Sequence, residues 1–433
     1  MIIARAPDRS PRCFVTLLFS IILGFAMTGS SFADGHATSS RVVTGGEVLV
    51  ENGFAAIAGK PVGLVTNHTG LVNGVHLADV LHEASIVELK AIFAPEHGFR
   101  GAVEAGAKVR DGIDPKTGVP VLSLYGALKK PSQRMLSNID VMIFDIQDIG
   151  TRYYTYISTM GLAMQAAAKA GIPFLVLDRP NPLGGDYVSG FVLEPKYRSF
   201  VGKYPIPIVH GLTVGELASM IKGEKWLAGL ENLDLRVIKV KGWKRSMRWP
   251  DCGRKWVSTS PNIPTFMSAL IYPGIGLIGE TQLANEGTGT RTPFMLFGAP
   301  WLDARRMALR MNALGLPGVR FEAIRYTPRS IPKVAPKPRY KGRRVNGVRV
   351  IVTNVDRVKP LEIGIHALCL LIKEARAHHI TRLFADKPFF HKIAGTKRLY
   401  TMLVRAAPGS SIIGSWHAEV AAFKQKRAAY LLY

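Results

Sequence analysis

The chain has 433 residues, 47% of them hydrophobic and 20% charged, which excludes a disordered or fibrous protein and allows one large domain or two. Lys and Arg number 56 against 31 Asp and Glu, a formal charge of +25, and such a balance favours polyanionic surroundings. Nucleic acid is the usual partner for it, but the opening of the chain points elsewhere.

Arg5, Arg9 and Arg12 lead into an apolar stretch from Cys13 to Met27, and Ser31-Phe32-Ala33 places small residues at both ends of a cleavage site. Residues 1–33 therefore read as a secretory signal peptide, with an apolar part too short to span a bilayer comfortably. Its removal takes away three Arg and one Asp and lowers the charge from +25 to +23. The expected mature protein is secreted, into a periplasm, and touches the membrane only during export. There it meets no nucleic acid and no nucleotide pool, but it does meet wall glycans that carry carboxylates. Only Cys252 and Cys369 follow the leader, as one disulfide or two thiols.

From about residue 41 to 240, β-type apolar runs alternate with helical patterns. Strands are expected at Val62–Thr66, Leu89–Ala94, Val119–Leu124, Val141–Asp145 and Pro173–Asp178, with a helix from Thr155 to Ala170 stopped by Gly171. Continuous apolar strands separated by helices indicate a mostly parallel α/β sheet covered on both faces. The stretch Lys239–Lys255 then carries seven basic residues, with Trp243 and Trp249 inside it and Trp256 just after. It marks a passage between two domains, 41–245 and 246–433. A second α/β unit is expected beyond it, with a helix over Trp301–Leu314, strands near Val319–Tyr326 and Val348–Thr353, and a long helix over Pro360–His378. Arg325–Arg349 holds nine basic residues and reads as a surface loop.

Two motif matches do not survive inspection. Gly274-Ile-Gly-Leu-Ile-Gly279 spells a dinucleotide fingerprint, but it follows Tyr272-Pro273 and not a clear strand. Ser219-Met-Ile-Lys222, Ser260-Pro-Asn262 and Lys116-Thr-Gly118 resemble the boxes of a penicillin-binding serine enzyme in the wrong order. His68, His97, Asp145 and Asp178 would make an acceptable nitrogen and oxygen donor set, yet they show no paired-ligand spacing, so no metal and no other cofactor is expected.

Polar and titratable residues gather instead just past the expected strand ends, where a parallel sheet opens its crevice. Asn67-His68-Thr69-Gly70 follows the first strand and Pro95-Glu96-His97-Gly98-Phe99-Arg100-Gly101 the second. Asp145-Ile-Gln-Asp148-Ile-Gly-Thr-Arg152-Tyr153-Tyr154 follows the fourth, and Asp178-Arg179-Pro180-Asn181 the fifth. The second half adds the rigid loop Ser258–Pro264, with Asn262, and the glycine-rich Glu280–Thr292, with Glu286 and Arg291.

These segments carry a resemblance. Val-Gly-Leu-Val-Thr-Asn-His-Thr-Gly (62–70), Ala-Pro-Glu-His-Gly-Phe-Arg-Gly (94–101), Phe-Asp-Ile-Gln-Asp-Ile-Gly-Thr-Arg-Tyr-Tyr-Thr-Tyr (144–156), Leu-Asp-Arg-Pro-Asn-Pro-Leu-Gly-Gly (177–185), Ser-Pro-Asn-Ile-Pro-Thr (260–265) and Glu-Gly-Thr-Gly-Thr-Arg (286–291) resemble the NamZ (YbbC-like) exo-β-N-acetylmuramidases, glycoside hydrolase family 171. The ending with Trp416, Phe423, Arg427 and Tyr433 is similar too. The resemblance covers essentially the whole mature chain. It implies a Rossmann-like domain followed by a smaller α/β domain, with the active site in the cleft between them. It also implies removal of non-reducing terminal N-acetylmuramic acid from peptidoglycan fragments, with Glu96 as the catalytic carboxyl.

Glycosidic cleavage needs an acid for the departing oxygen and a group that relieves positive charge on the sugar carbon. Glu96 is the expected acid, with Phe93 and Phe99 placed to raise its pKa by desolvation, and His97 is its competitor. Asp145, Asp148 and Glu286 are candidates for the second group, unless the substrate's own 2-acetamido group takes that part. Arg152, Arg291 and Arg100 are the candidate readers of the lactyl carboxylate. Tyr153 and Tyr154 could stack on the sugar, and Asn67, His68, Asp178, Asn181 and Asn262 complete the expected substrate contacts. The competing readings are a wall-glycan-binding protein without catalysis and a different cell-wall hydrolase.

Overall fold

The computed structural model describes residues 41–100, 111–126 and 128–433. The leader read at 1–33 lies outside them, as does Gly101. In chain order the strands are β1 (Pro61–Thr66), β2 (Leu71–Val72), β3 (Val75–His76), β4 (Glu88–Ala94), β5 (Gly112–Ile113), β6 (Pro120–Ser123), β7 (Val141–Asp145), β8 (Phe174–Leu177), β9 (Leu235–Ile238), β10 (Leu296–Ala299), β11 (Val319–Tyr326) and β12 (Val345–Val352). The principal helices are α1 (Gly45–Glu51), α2 (Leu77–Glu83), α3 (Gln133–Leu136), α4 (Tyr156–Ala170), α5 (Val214–Gly223), α6 (Phe266–Gly279), α7 (Ala304–Ala313) and α8 (Pro360–Ala377). Shorter helices follow from Lys387 to Arg427.

Seven strands form the large sheet in the order β5-β6-β4-β1-β7-β8-β9. All neighbours run parallel except the edge pair β5 and β6. The alternation of side chains across a strand explains the two layers that cover it. Met142, Phe144, Phe174 and Val176 point to the face packed by α4 and α5. Ile143, Leu175 and Leu177 point to the face packed by α1 and α2. The chain runs outward from β1 through β4 to β6, then returns to β7 and runs outward the other way, so the strand order reverses between β1 and β7.

Helix α1 went unread in the sequence. It starts with a capping box: Thr44 N donates to Glu47 Oε2 at 2.8 Å while Glu47 N donates to Thr44 Oγ1 at 3.4 Å. Gly45 lets this end sit against the sheet, because a Cβ there would lie 2.4 Å from both Asp178 N and Ile238 O.

The second sheet is small and antiparallel, in the order β10-β12-β11. The basic stretch 325–349, expected to be a loop, gives its ends to β11 and β12. Arg325 and Arg349 are exposed on strands whose Phe321, Val348 and Val350 are buried, so every second residue faces water and the apolar signal is thin. The glycine-rich fingerprint match lies inside α6, where Gly274 meets Gly364 of α8 and a Cβ on either would run into the other helix's backbone. Those glycines serve a close helix crossing. Cys252 and Cys369 are free thiols.

Apolar packing is continuous from the large sheet through α6 and α8 to the last helices. The chain's end then returns to the large sheet. Tyr433 Oη donates to Asp178 Oδ2 at 2.7 Å and accepts from Val240 N at 2.9 Å. Arg427 donates to the carbonyls of Gly185, His210 and Gly211. Burial raises the Asp178 carboxyl to about 6. Thr213 Oγ1, Gly215 N and Arg179 N complete its shell. Tyr433→Phe takes one donor from this buried carboxylate and the acceptor from Val240 N, and should cost about 1–3 kcal/mol. Urea denaturation at unchanged slope would measure it, and a loss below a few tenths would show the tether to be idle.

Candidate active site

Glu96 follows β4 in a tight turn. His97 and Gly98 both take left-handed backbone conformations, with φ of 71° and 75°, a region that a non-glycine residue seldom adopts outside constrained sites. The Glu96 side chain is nearly buried. Thr155 Oγ1 donates to its Oε2 at 2.6 Å. The Tyr125 phenol also bonds to this carboxylate and is held above its ordinary range by burial and by the carboxylate's charge. Phe93 is buried beneath the strand end, whereas the Phe99 ring packs edge-on against His76, 4.8 Å between centroids, with Arg100 over its face.

The neighbouring strand end supplies the floor. Asn67 Oδ1 accepts from Thr69 N at 3.0 Å and from Thr69 Oγ1 at 2.6 Å, which fixes the turn after β1. His68 Nε2 donates to the Ser258 carbonyl. Burial and the adjacent His97 and His76 lower its pKa, so the ring is neutral and Nδ1 is left as an acceptor without a partner among the described residues. Tyr154 Oη donates to Thr259 Oγ1 at 2.9 Å and Tyr156 Oη to the Thr259 carbonyl at 2.6 Å. The 258–260 segment is thereby pinned across the sheet's carboxyl edge, beside Glu96.

Several residues expected to touch substrate are placed otherwise. Arg152 is fully buried, and its guanidinium donates to the carbonyls of Phe191 (2.6 Å), Ile206 (2.8 Å) and Ile393 (3.0 Å). Burial lowers its pKa to about 9. It clamps three loops and has no path to a sugar carboxylate. Tyr153 is equally enclosed and donates to the Pro273 carbonyl at 2.8 Å. Asp145 is held by Arg179 through two bonds of 2.6 and 3.0 Å. Asp178 is the hub of the C-terminal tether, and Asn181 accepts from Leu183 N and donates to the Leu212 carbonyl. Arg100 pairs with Asp114 at 2.8 Å. Asn262 Nδ2 donates to the Val334 carbonyl at 2.8 Å and so anchors the loop between β11 and β12.

Three further carboxyls are pushed upward. Asp148 rises to about 7 by burial, although it accepts from Gly150 N at 2.6 Å. Glu280 rises to about 7 through burial and the nearby Glu286, itself raised by burial and bonded to Thr288 Oγ1. Arg291 is exposed on the glycine-rich loop.

The strand-end rule, applied to the turn after β6, would have found Tyr125, which was passed over. Thr155 lay inside a quoted motif without being singled out. No local signal marks the cations beyond them. Phe200 lies 6.0 Å from Tyr125 between ring centroids, with Lys129 Nζ 4.6 Å from its centroid. Half-buried Lys203 is held below its ordinary range by burial and by Arg198, Lys129 and Lys130. This gathers positive charge around Phe200, the neighbour of Tyr125.

Comparison with known proteins gives one consistent result. Residues 62–267 match the family model described as exo-beta-N-acetylmuramidase NamZ, N-terminal, and residues 270–433 the corresponding C-terminal model. The peptidoglycan beta-N-acetylmuramidase NamZ of Bacillus subtilis is 40% identical over 425 residues, covering 96% of this chain and 99% of that protein. Two crystal structures of DUF1343 family proteins from Bacteroides fragilis align at TM-scores of 0.83 and 0.73, with 38% and 36% identity. Each covers 91% of this chain and 99% of its own.

Asp148 has a consequence for stability. The folded protein holds its proton up to about pH 7, whereas an unfolded aspartate releases it near pH ~4. Between those values the folded state carries the extra proton, so stability falls as pH rises through the window. Asp148→Asn keeps an acceptor for Gly150 N–H and should flatten that fall. Urea midpoints compared at pH 5 and pH 8 would show it, and an equal fall in both proteins would refute it.

Proposed function

This chain belongs to the NamZ family of exo-β-N-acetylmuramidases, and on that premise we propose that it hydrolyses the non-reducing terminal N-acetylmuramic acid of peptidoglycan fragments with Glu96 as general acid. The observation that carries this assignment is the position of Glu96, a carboxyl at a strand end held by the hydroxyls of Thr155 and Tyr125. Those two donors orient the carboxyl at the strand end, where a glycosidic oxygen would take its proton. The leader at residues 1–33 would carry the enzyme out to the wall.

Glu286, a candidate for the second chemical group, is raised by burial and bonded to Thr288 Oγ1, which withdraws it from that role. Asp145 is locked on Arg179. Asp148 is sealed under the turn that follows β7 and keeps its proton until about pH 7, so at neutral pH it is a poor anionic nucleophile. The substrate's 2-acetamido oxygen is then the group that closes on the anomeric carbon as Glu96 protonates the leaving oxygen. Water opens the cyclic intermediate, and Glu96 takes the water's proton back. Two displacements on one carbon retain its configuration. Neutral His68, whose Nδ1 has no partner among the described residues, is suited to orienting the acetamido group.

With Arg152 withdrawn, the lactyl carboxylate is best read by Lys203, supported by Lys129 over the Phe200 ring. A desolvated ammonium next to three further cations gains most from a carboxylate brought among them.

Glu96→Gln should lower turnover of the disaccharide N-acetylmuramyl-β-1,4-N-acetylglucosamine by about 10²–10⁴-fold with KM little changed, read as free N-acetylmuramic acid by mass spectrometry. Wild-type protein that binds wall fragments in a salt-sensitive way and releases no sugar would make it a binding protein instead. Lys203→Ala should raise KM about tenfold for that substrate at similar kcat. An unchanged KM would remove Lys203 from carboxylate recognition.

A further inference from the structure

A second cleft of about 400 Å³ lies where the strand order reverses, beyond the carboxyl ends of β1, β7 and β8. Its volume falls within the ~300–1,000 Å³ typical of ligand sites. Its lining includes Arg41, Thr69, Gln147, Arg179, Trp249 and Lys255, but none of Glu96, Tyr125, Thr155 or Lys203. Thr69 and Val257 face it, and the preceding His68 and the following Ser258 are bonded to each other. The pinned 258–260 segment thus adjoins this cleft.

The cleft is cationic by construction. Arg41 and Arg254 share one carboxylate, Glu47, and Arg179 has Asp145. Lys255, also in the lining, is exposed. No acidic residue belongs to the lining, so the cleft carries more positive charge than its two buried carboxylates offset. Two nearly buried side chains in the same lining also keep unanswered polar atoms among the described residues. Gln147 Oε1 lacks a donor, although its Nε2 donates to the carbonyls of Asp148 and Pro180. Trp249 Nε1 lacks an acceptor. Buried polar atoms rarely go unmatched unless something else completes them.

An anion to face the cations and a ring to lie on the Trp249 indole describe one class of ligand, a sugar that carries a carboxylate. We infer that this cleft is a second binding site for N-acetylmuramic acid, separate from the hydrolytic site. The ligand rests on the proposed reaction, because that reaction releases this sugar next to the cleft. Occupied by the product or by a muramic residue further along a glycan, it would hold substrate or product against the protein without taking part in bond cleavage.

The test is titration of the wild-type protein with N-acetylmuramic acid, read by tryptophan emission, since Trp249 lines the cleft and Trp256 packs on it with centroids 5.0 Å apart. A saturable response is expected in the wild type and in Glu96→Gln and Lys203→Ala. It should weaken by about tenfold in Lys255→Glu, vanish in Trp249→Phe, and be absent with N-acetylglucosamine. A response that survives Lys255→Glu unchanged, or that is lost in Lys203→Ala, overturns the inference, because the signal then comes from elsewhere. An equal response to inorganic phosphate or uridine diphosphate also overturns it, leaving a general anion cleft. Disaccharide turnover measured alongside keeps the two proposals apart. Turnover without the tryptophan response sinks only the second site, and the response without turnover sinks only the hydrolase assignment.

Discussion

The central strands of the large sheet are apolar on both faces, and each face is covered by helices, so no chemistry can be placed on the sheet itself. Whatever polar work the domain does is confined to the loops beyond the carboxyl ends. Those loops are crowded, because the six parallel strands end side by side along one edge. Aspartates that close β7 and follow β8 lie there out of water, and they need permanent partners before anything else can be built. Arg179 answers Asp145 through a fork of two bonds. The backbone of α5, Thr213 and the last residue of the chain answer Asp178. Removing one side of such a buried pair costs about 3–5 kcal/mol, so these groups are fixed parts of the scaffold and the turns they brace are rigid.

Rigidity at this edge separates the residues that hold the site from those that can act in it. Arg152, Arg427, Asp145 and Asp178 meet backbone carbonyls or each other's neighbours and have no capacity left for a ligand. Glu96 is different in kind. Its bonds with Thr155 and Tyr125 come from hydroxyls, which orient a carboxyl, and His97 holds a backbone conformation that needs surrounding structure to maintain. The tethering of Tyr433 to Asp178 also explains why the chain's last residues belong to the recognisable pattern. They close the sheet that carries the site, although they come from the other end of the sequence.

Much of this was legible in the residues. Apolar runs placed β1, β4, β7 and β8, Gly171 placed the end of α4 in its left-handed cap, and Pro360 placed the start of α8. The strand-end rule led to Glu96, His97 and His68 because it depends only on topology. It could not distinguish an aspartate that acts from one that caps, since both occur after strands with glycine and proline around them, and so Asp178 and Asn181 were read as substrate contacts. Arg152 misled for a related reason. An arginine within a polar turn past a strand end suggests recognition, yet its guanidinium is directed inward to carbonyls at residues 191, 206 and 393, separations that no local pattern reports. Lys203 was invisible by the same logic, because Lys129, Lys130 and Arg198 become its neighbours only through the fold.

The surplus of basic residues acquires a meaning from where pairing leaves it. Glu47 takes Arg41 and Arg254, and Glu374 takes Arg306 and Arg310, so single carboxylates already serve two cations each in the scaffold. Acids are too few for the rest, and part of the excess is concentrated in two places, around Lys203 and around Lys255. A fragment that carries carboxylates is drawn toward both by a field that salt weakens beyond about 8–10 Å. Binding and chemistry therefore depend on different physics in this protein. Capture of an anionic glycan rides on charges that ionic strength can screen. The proposed cleavage rests on the Glu96 carboxyl, whose 2.6 Å bond from Thr155 lies within the protein and is screened far less.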